Sequence, residues 1–254
     1  MPLFEIRGLV KRFGEHEVLS GIDLDIHAGE LLTIIGRSGC GKSVLLKHLI
    51  GLIRADAGTI RFDGKDVTAL TEREWVPVRK RIGMLFQEGA LFDSLSVEDN
   101  VAYALREHRA MPEDEIEKRV AESLALVNLP GVQHMWPADL SGGMRKRVAL
   151  ARAIAMHPEV VLYDEPTEGL DPINVTRVYR LLQRLRERLG ITTVVVTHNM
   201  QAAFRVSDRI AFVHEGKVVA VGSPAELSRL PDPRLEPFKK ASQLRAKARP
   251  SVPG

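Results

Sequence analysis

Gly36-Arg37-Ser38-Gly39-Cys40-Gly41-Lys42-Ser43, followed at once by Val44-Leu45-Leu46-Lys47-His48-Leu49-Ile50, is the stretch that decides how this chain folds. It fits the pattern G-x-x-x-x-G-K-[S/T] and lies between the apolar run LLTIIG, which reads as a buried strand, and an apolar helix. Glycines let backbone N–H groups close around phosphate oxygens, and the N-terminus of the following helix adds its dipole. In such a loop Lys42 reaches the outer phosphates and Ser43 offers a hydroxyl to Mg²⁺. The helix is apolar around most of its circumference, as expected for one packed inside an α/β core.

Outward from that loop, two further segments carry chemistry. Val160-Val161-Leu162-Tyr163-Asp164-Glu165 is an apolar strand ending in two carboxylates, suited to hold a metal-bound water with Asp164 and to activate an attacking water with Glu165. Adjacent carboxylates beside a triphosphate need a cation to stay ionised, which again points to Mg²⁺. LSGGMRKRVALARAIA, residues 140–155, places Ser141, Gly142 and Gly143 at the start of a second helix able to bind phosphate. One nucleotide has no obvious need for both helix ends. The sequence therefore predicts that the second end serves a nucleotide held by another copy of the chain.

With these segments in view, residues 3–227 resemble the ATP-binding subunits of ABC transporters. Gln87 at the end of IGMLFQ is similar to that family's Q-loop, Glu168 to Asp171 (EGLD) to its D-loop, and His198 in VVVTHNM to its switch histidine. Phe13 in KRFGEHEVL resembles the aromatic residue that stacks on adenine. The resemblance implies an α/β fold of the P-loop NTPase class, an ABC-type nucleotide-binding domain with an N-terminal antiparallel β portion and an inserted helical subdomain. It implies a head-to-tail dimer with ATP sandwiched between one copy's phosphate loop, continued by Val44, and the other's Ser141–Gly143, with Asp171 beside it. Glu165 is then the expected base, His198 holds the γ-phosphate and the attacking water, and Gln87 senses the metal. Glu168 departs from the small residue common at its position.

The remaining composition limits the alternatives. At 254 residues, 44% hydrophobic and 27% charged, the chain can bury a large core. Its one cysteine, Cys40, forms no intrachain disulfide. No apolar run approaches the roughly 18 residues of a membrane span, and the start, MPLFEIRGLVKRFG, has no secretory-signal pattern. Of the net charge of +3, the segment from Arg234 onward carries +5, leaving the body at −2. No nucleic-acid partner is expected from so neutral a body.

Strand-like runs open the chain, TIRFDGKDV reads as an Asp-Gly hairpin, and helices dominate from Ser96 to His157. Ser96 is placed to cap the first of them, and Pro112 with the acids after it to begin another. The expected division is an ATPase domain over 1–227, with a helical subdomain at about 88–158, and a basic C-terminal extension over 228–254. LEPFKKASQLRAKA in that extension reads either as a solvated end or as a short helix, with Leu235, Phe238 and Leu244 apolar, that reaches a partner.

Two runs narrow the resemblance. Val44 begins SVLLKHLIGL where a small polar residue is common, and GALFDSLSVEDNVAYALRE follows Gln87. Together with GLDPI these are similar to Mla-type phospholipid-transport ATPases. That implies an integral membrane permease, an MCE-domain protein and a peripheral position on the cytoplasmic face of the inner membrane. Leu91, Phe92, Leu95 and Val97 read as a docking patch for the permease or as residues buried under the helical subdomain. An ATPase for another solute, and a soluble ABC scaffold in iron–sulfur assembly, are the competing readings.

Overall fold

The apolar runs form two sheets, described by a computed structural model over residues 1–109 and 111–236. Strands β1 (Pro2–Phe13) and β2 (His16–His27) pair antiparallel, β4 (Ala57–Phe62) adds to the free edge of β1, and β5 (Lys65–Asp66) returns on β4. Asp63 and Gly64 both take left-handed φ, 52° and 74°, the turn that Asp-Gly favours. The second sheet has the order β10-β9-β3-β8-β7-β6. Its strands are β3 (Leu31–Ile35), β6 (Ile82–Leu85), β7 (Val160–Asp164), β8 (Thr192–Thr197), β9 (Arg209–His214) and β10 (Lys217–Gly222). All neighbours run parallel except β10, which is antiparallel to β9.

Every residue of β3, β7 and β8 is buried, the pattern of strands covered on both faces. Alternate residues of β7 serve different cores. Val160 and Leu162 join Leu45, Leu46 and Leu49 of helix α1 (Lys42–Leu49) and the inner side chains of β1 and β2. Val161 and Tyr163 face the opposite core, shared with the inserted helices and with α6 (Pro172–Leu189). Helix α1 thus lies between two sheets, which accounts for its apolar circumference. A third cluster gathers Ile35, Ile210 and Phe212 with α7 (Met200–Val206) and α8 (Pro224–Arg229).

Helix α2 (Glu72–Arg79) has no counterpart in the sequence reading because Pro77 interrupts its pattern. A capping box between Thr71 and Glu74 starts it. Arg79 then ties it down by donating to the carbonyls of Ile50 and Gly51.

The chain between the paired strands β6 and β7 makes the helical insertion: α3 (Val97–Glu107), α4 (Glu113–Leu126), a 3-10 turn at Pro137–Asp139, and α5 (Gly142–Ile154). The Ser96 hydroxyl accepts the Asp99 N–H at 3.1 Å, and Pro112 occupies the cap position of α4 ahead of Glu113, Asp114 and Glu115. Val97, Val101 and Leu105 of α3, Ile116, Val120 and Leu124 of α4, and Val148 and Ile154 of α5 share one core.

Two sequence expectations change here. Val97 is fully buried in that core and contributes nothing to a surface patch, while Leu91 and Leu95 are half-buried. Phe92 alone of the four is exposed, its ring 4.8 Å from that of exposed Tyr103. Leu235, assigned to the C-terminal extension, is fully buried in the third cluster beside Leu227, so the chain stays on the core beyond residue 227. Phe238 and Leu244 lie outside the described residues. Among the described residues no helix is long and apolar enough to cross a membrane.

The segment from Phe92 to Ser96 is pinned by Asn100, which is fully buried. Its Oδ1 accepts the Phe92 N–H at 2.8 Å, and its Nδ2 donates to the carbonyls of Phe92, Leu95 and Ser96, each at 3.0 Å. Removing this amide leaves buried backbone groups unpaired, at a cost of about 2–3 kcal/mol. Asn100→Ala is expected to unfold at correspondingly lower urea in equilibrium denaturation; an unchanged midpoint refutes the role.

Candidate functional site

Parallel pairing brings the carboxyl ends of β3, β8, β7 and β6 to one edge of the sheet, where α/β proteins of this kind bind their ligands. The phosphate loop leaves β3 at Gly36. A Cβ there would run into the Val213 carbonyl and the Cys40 sulfur, and Gly41 holds φ at 98° with the Val18 carbonyl against its Cα. Both positions need glycine for the loop to close this tightly. Lys42 is buried at the first turn of α1, and its ammonium donates to the carbonyls of Gly36 at 3.0 Å and Arg37 at 2.9 Å, spanning the concavity of the loop. Arg37, Ser38 and Gly39 are exposed at the loop's crest. Burial pushes the Cys40 thiol up from its ordinary pKa, so this sulfur is a packing group and not a reactive thiolate.

Next along the helix, the Ser43 hydroxyl donates to Asp164 Oδ1 at 2.7 Å. Asp164 is almost fully buried; burial raises its carboxyl pKa, the Ser43 hydrogen bond opposes that, and the charge of Glu165 adds to it. A hydroxyl and a buried carboxylate at this separation form an oxygen donor pair that fits Mg²⁺ beside a triphosphate.

Glu165 leaves the strand with a left-handed backbone, φ 46°, which is uncommon for a residue bearing a side chain and turns its carboxylate back over the sheet edge. That carboxylate is held twice by the end of β8. Its Oε1 lies 3.0 Å from His198 Nδ1, and its Oε2 accepts the His198 N–H at 3.2 Å. Gln87, just past β6, is exposed and completes the rim. A cavity of about 240 Å³ is lined together by Ser38, Gly39, Gly41, Lys42, Ser43, Val44, Gln87, Glu165 and His198. Residues up to 160 positions apart in sequence therefore surround one space.

Glu168, which departs from the small residue common at its position, also lines it, as does Val18, which the sequence does not single out. The Glu168 carbonyl accepts the Lys146 ammonium at 2.5 Å, tying α5 to the segment after Glu165. An adjoining cavity of about 430 Å³ brings His16, Glu17, His214 and Glu215 up to the outer side of Arg37–Cys40. Phe13, half exposed with the Lys11 ammonium 5.5 Å from its ring, stands at the tip of the β1–β2 turn that leads into His16. It is not among the residues lining that cavity.

The other predicted residues stand apart. Ser141 caps α5 by accepting the Met144 N–H, and both Ser141 and Gly142 are exposed. Neither they nor Gly143 line either cavity around the phosphate loop. The Asp171 carboxylate caps α6, accepting the N–H groups of Ile173 and Asn174 and the Asn174 side-chain amide. These donors, the Asn174 N–H foremost, hold its pKa below the usual carboxylate range.

Comparison with known proteins agrees with this geometry. The family model described as "ABC transporter" matches residues 19–168. Relatives include the intermembrane phospholipid transport system ATP-binding protein MlaF of Haemophilus influenzae, 40% identical over 94% of this chain and 90% of the relative. The probable ribonucleotide transport ATP-binding protein mkl of Mycobacterium leprae is also 40% identical, over 94% of this chain and 70% of its own length. The sulfate/thiosulfate import ATP-binding protein CysA of Xylella fastidiosa is 44% identical over 89% of this chain and 64% of its own. Among solved structures, cbiO1 from Clostridium perfringens, part of the ABC transporter complex cbiONQ, superposes with a TM-score of 0.82 at 32% identity, covering 89% of this chain and 90% of that one. A bacterial ABC transporter cassette solved as a dimer gives 0.80 at 33% identity, covering 87% and 98%. With the phosphate loop set at this sheet edge and the family model matched over more than half its length, the chain belongs to the ABC transporter family as an ATP-binding subunit that hydrolyses ATP with Mg²⁺.

Proposed function

We propose that this chain works as a head-to-tail homodimer that powers phospholipid transport through a membrane permease and an MCE-domain protein. The observation that carries the dimer is the separation of two phosphate-binding helix ends. The N-terminus of α1 closes on the cavity with Gln87, Glu165 and His198, whereas Ser141–Gly143 open α5 towards solvent. A helix N-terminus exposed at Ser141 and Gly142 suits an anion, and a second copy supplies one. The dimeric state of the similar cassette supports the same arrangement.

Within that dimer, Lys42 leaves its loop carbonyls for the β- and γ-phosphates, and the loop N–H groups from Arg37 to Gly41 hold the remaining oxygens. Ser43 and Asp164 hold Mg²⁺, which when bound offsets the charge of the phosphates and orients them. Glu165 takes the proton of the attacking water, and His198, fixed by Glu165, orients that water and the outer phosphate. Gln87 reads the metal side of the cavity. Phe13 covers the adenine, and Asp171 shapes the loop that meets the second copy.

The phospholipid assignment draws on the extent of the likeness. The chain spans 90% of the MlaF relative but 70% of mkl and 64% of CysA. The 44% identity to CysA favours a second reading, an ATPase for an inorganic anion importer. The exposed Phe92–Tyr103 pair beside Gln87 is the surface proposed to meet the permease.

Three outcomes test these assignments. Glu165→Gln is expected to bind ATP, lose at least about 100-fold in turnover, and run as a dimer in size-exclusion chromatography with ATP; hydrolysis at the parental rate removes Glu165 from its role. Phe92→Asp keeps ATP affinity but no longer copurifies with the permease, and normal copurification rules that surface out. Reconstituted with its permease, the complex should move a fluorescent phospholipid on ATP addition, and uptake of sulfate instead would establish the second reading.

A further inference from the structure

Helix α6 carries Arg177, Arg180 and Arg184 at spacings of three and four, so they stand on one exposed face. Arg147, on the second turn of α5, faces them across a cleft of about 610 Å³. Its lining includes the apolar side chains of Leu170, Val178 and Leu181 and a single carboxylate, Glu187.

These four arginines contrast with those that carboxylates neutralise. Arg81, Arg106, Arg186 and Arg209 each form ion pairs with carboxylates. Among the described residues, no carboxylate lies within ion-pair distance of the four around the cleft. Arg147 reaches only the carbonyls of Gly143 and Asn128, at 3.4 and 3.2 Å, and Arg177 reaches Asn174 Oδ1 at 3.5 Å. Burial and the nearby Arg177 charge both hold Arg147 below its ordinary pKa, so the cluster repels itself. A partner with complementary negative charge relieves that repulsion.

We infer that this cleft docks an acidic amphipathic helix of a partner protein. Shape selects that occupant over a small anion. From Asn174 to Glu187 the groove follows α6 for about 20 Å. The three guanidiniums of α6 are strung along about two helical turns and do not converge on one point, as a phosphate site requires. An apolar floor flanked by cations suits a helix with an apolar stripe and acidic borders. The inference is independent of the transported solute. Its consequence is a contact with two segments that border the site, because the same cleft includes Gly143 at the start of α5 and Leu170 in the segment after Glu165.

The test uses the full chain and a capped peptide of about 14 residues, matched to the groove's length, built from leucine, alanine and glutamate in an amphipathic pattern. Its control is the isomer of the same composition with the pattern scrambled. Fluorescence anisotropy should show binding of the patterned peptide only, weakening as salt rises. Arg177→Glu with Arg184→Glu should weaken it at least about tenfold, with melting temperature and basal ATP hydrolysis unchanged. Arg177→Gln with Arg184→Gln gives an intermediate loss and serves if the reversed pair unfolds. No binding by the wild-type chain, or equal binding of the scrambled isomer, overturns the inference. So does displacement by equimolar pyrophosphate, which would make the cleft a site for compact anions. Recruitment to phosphatidylglycerol vesicles that depends on the same arginines would assign it to a lipid surface and equally overturn it. Loss of the ATP-dependent dimer in the reversed pair would assign it to a second copy of the chain, with the same result.

Discussion

The hydrogen bond from Ser43 to Asp164 joins two segments 121 residues apart and fixes the geometry of everything around it. Ser43 stands on the helix that follows β3, and Asp164 ends β7, with β8 between them. Two strand spacings amount to about 10 Å, so the first turn of α1 must lean across the end of β8 to make the contact. It can do so because Gly41 turns the chain with a φ closed to other residues and because Leu45, Leu46 and Leu49 anchor the helix between the sheets. Once Asp164 is held there and buried, its charge needs a cation. Glu165 and His198 then fall on the same edge through strand register alone, since Asp164 pairs with Val196 and Ile35 with Thr197.

Helix α5 links the site to its surroundings. Its Lys146 grips the carbonyl of Glu168, beyond the proposed base. Two turns further on, Arg152 donates to the carbonyl of Gly89, beyond Gln87, and places its guanidinium 5.7 Å from the Phe92 ring. Burial holds the Arg152 guanidinium below its ordinary pKa. Contacts therefore run from this helix to the segment after Glu165 and to the one after Gln87. Asn100 ties the Phe92 segment to α3, which packs on α5. These hydrogen bonds and packed helices form a continuous set of contacts between α5 and the exposed Phe92 ring.

Much of this was legible in the sequence wherever a local rule settles the structure. The glycine loop, the Asp-Gly hairpin, the Ser96 cap and the apolar strand ending in two carboxylates each depend on residues a few positions apart. Features set by distant segments were not legible. Val97 reads equally as part of a docking patch or as a buried residue, and only the packing of α4 and α5 decides for burial. Asn100 reads as an ordinary polar helix residue until the preceding loop folds onto its amide. Pro77 hides α2, which depends on Arg79 reaching back to the end of α1. The arginines of α6 gain significance only in the tertiary structure, because their lack of counter-charges emerges when α5 is placed opposite.

The same separation of local and distant information bears on the cargo. Relatives named for phospholipid, ribonucleotide and sulfate or thiosulfate transport share 40%, 40% and 44% identity with this chain. A transported solute need never touch the residues that surround the cavity at the sheet edge; those residues handle phosphate, water and metal whatever the cargo. Overall identity is weighted by that common machinery and by the two cores that position it. Discrimination must then reside where the chain meets other proteins. On this molecule the surfaces proposed for such contacts are the Phe92–Tyr103 pair and the cationic cleft between α5 and α6. Both border α5, the helix that also contacts the segments after Glu165 and after Gln87.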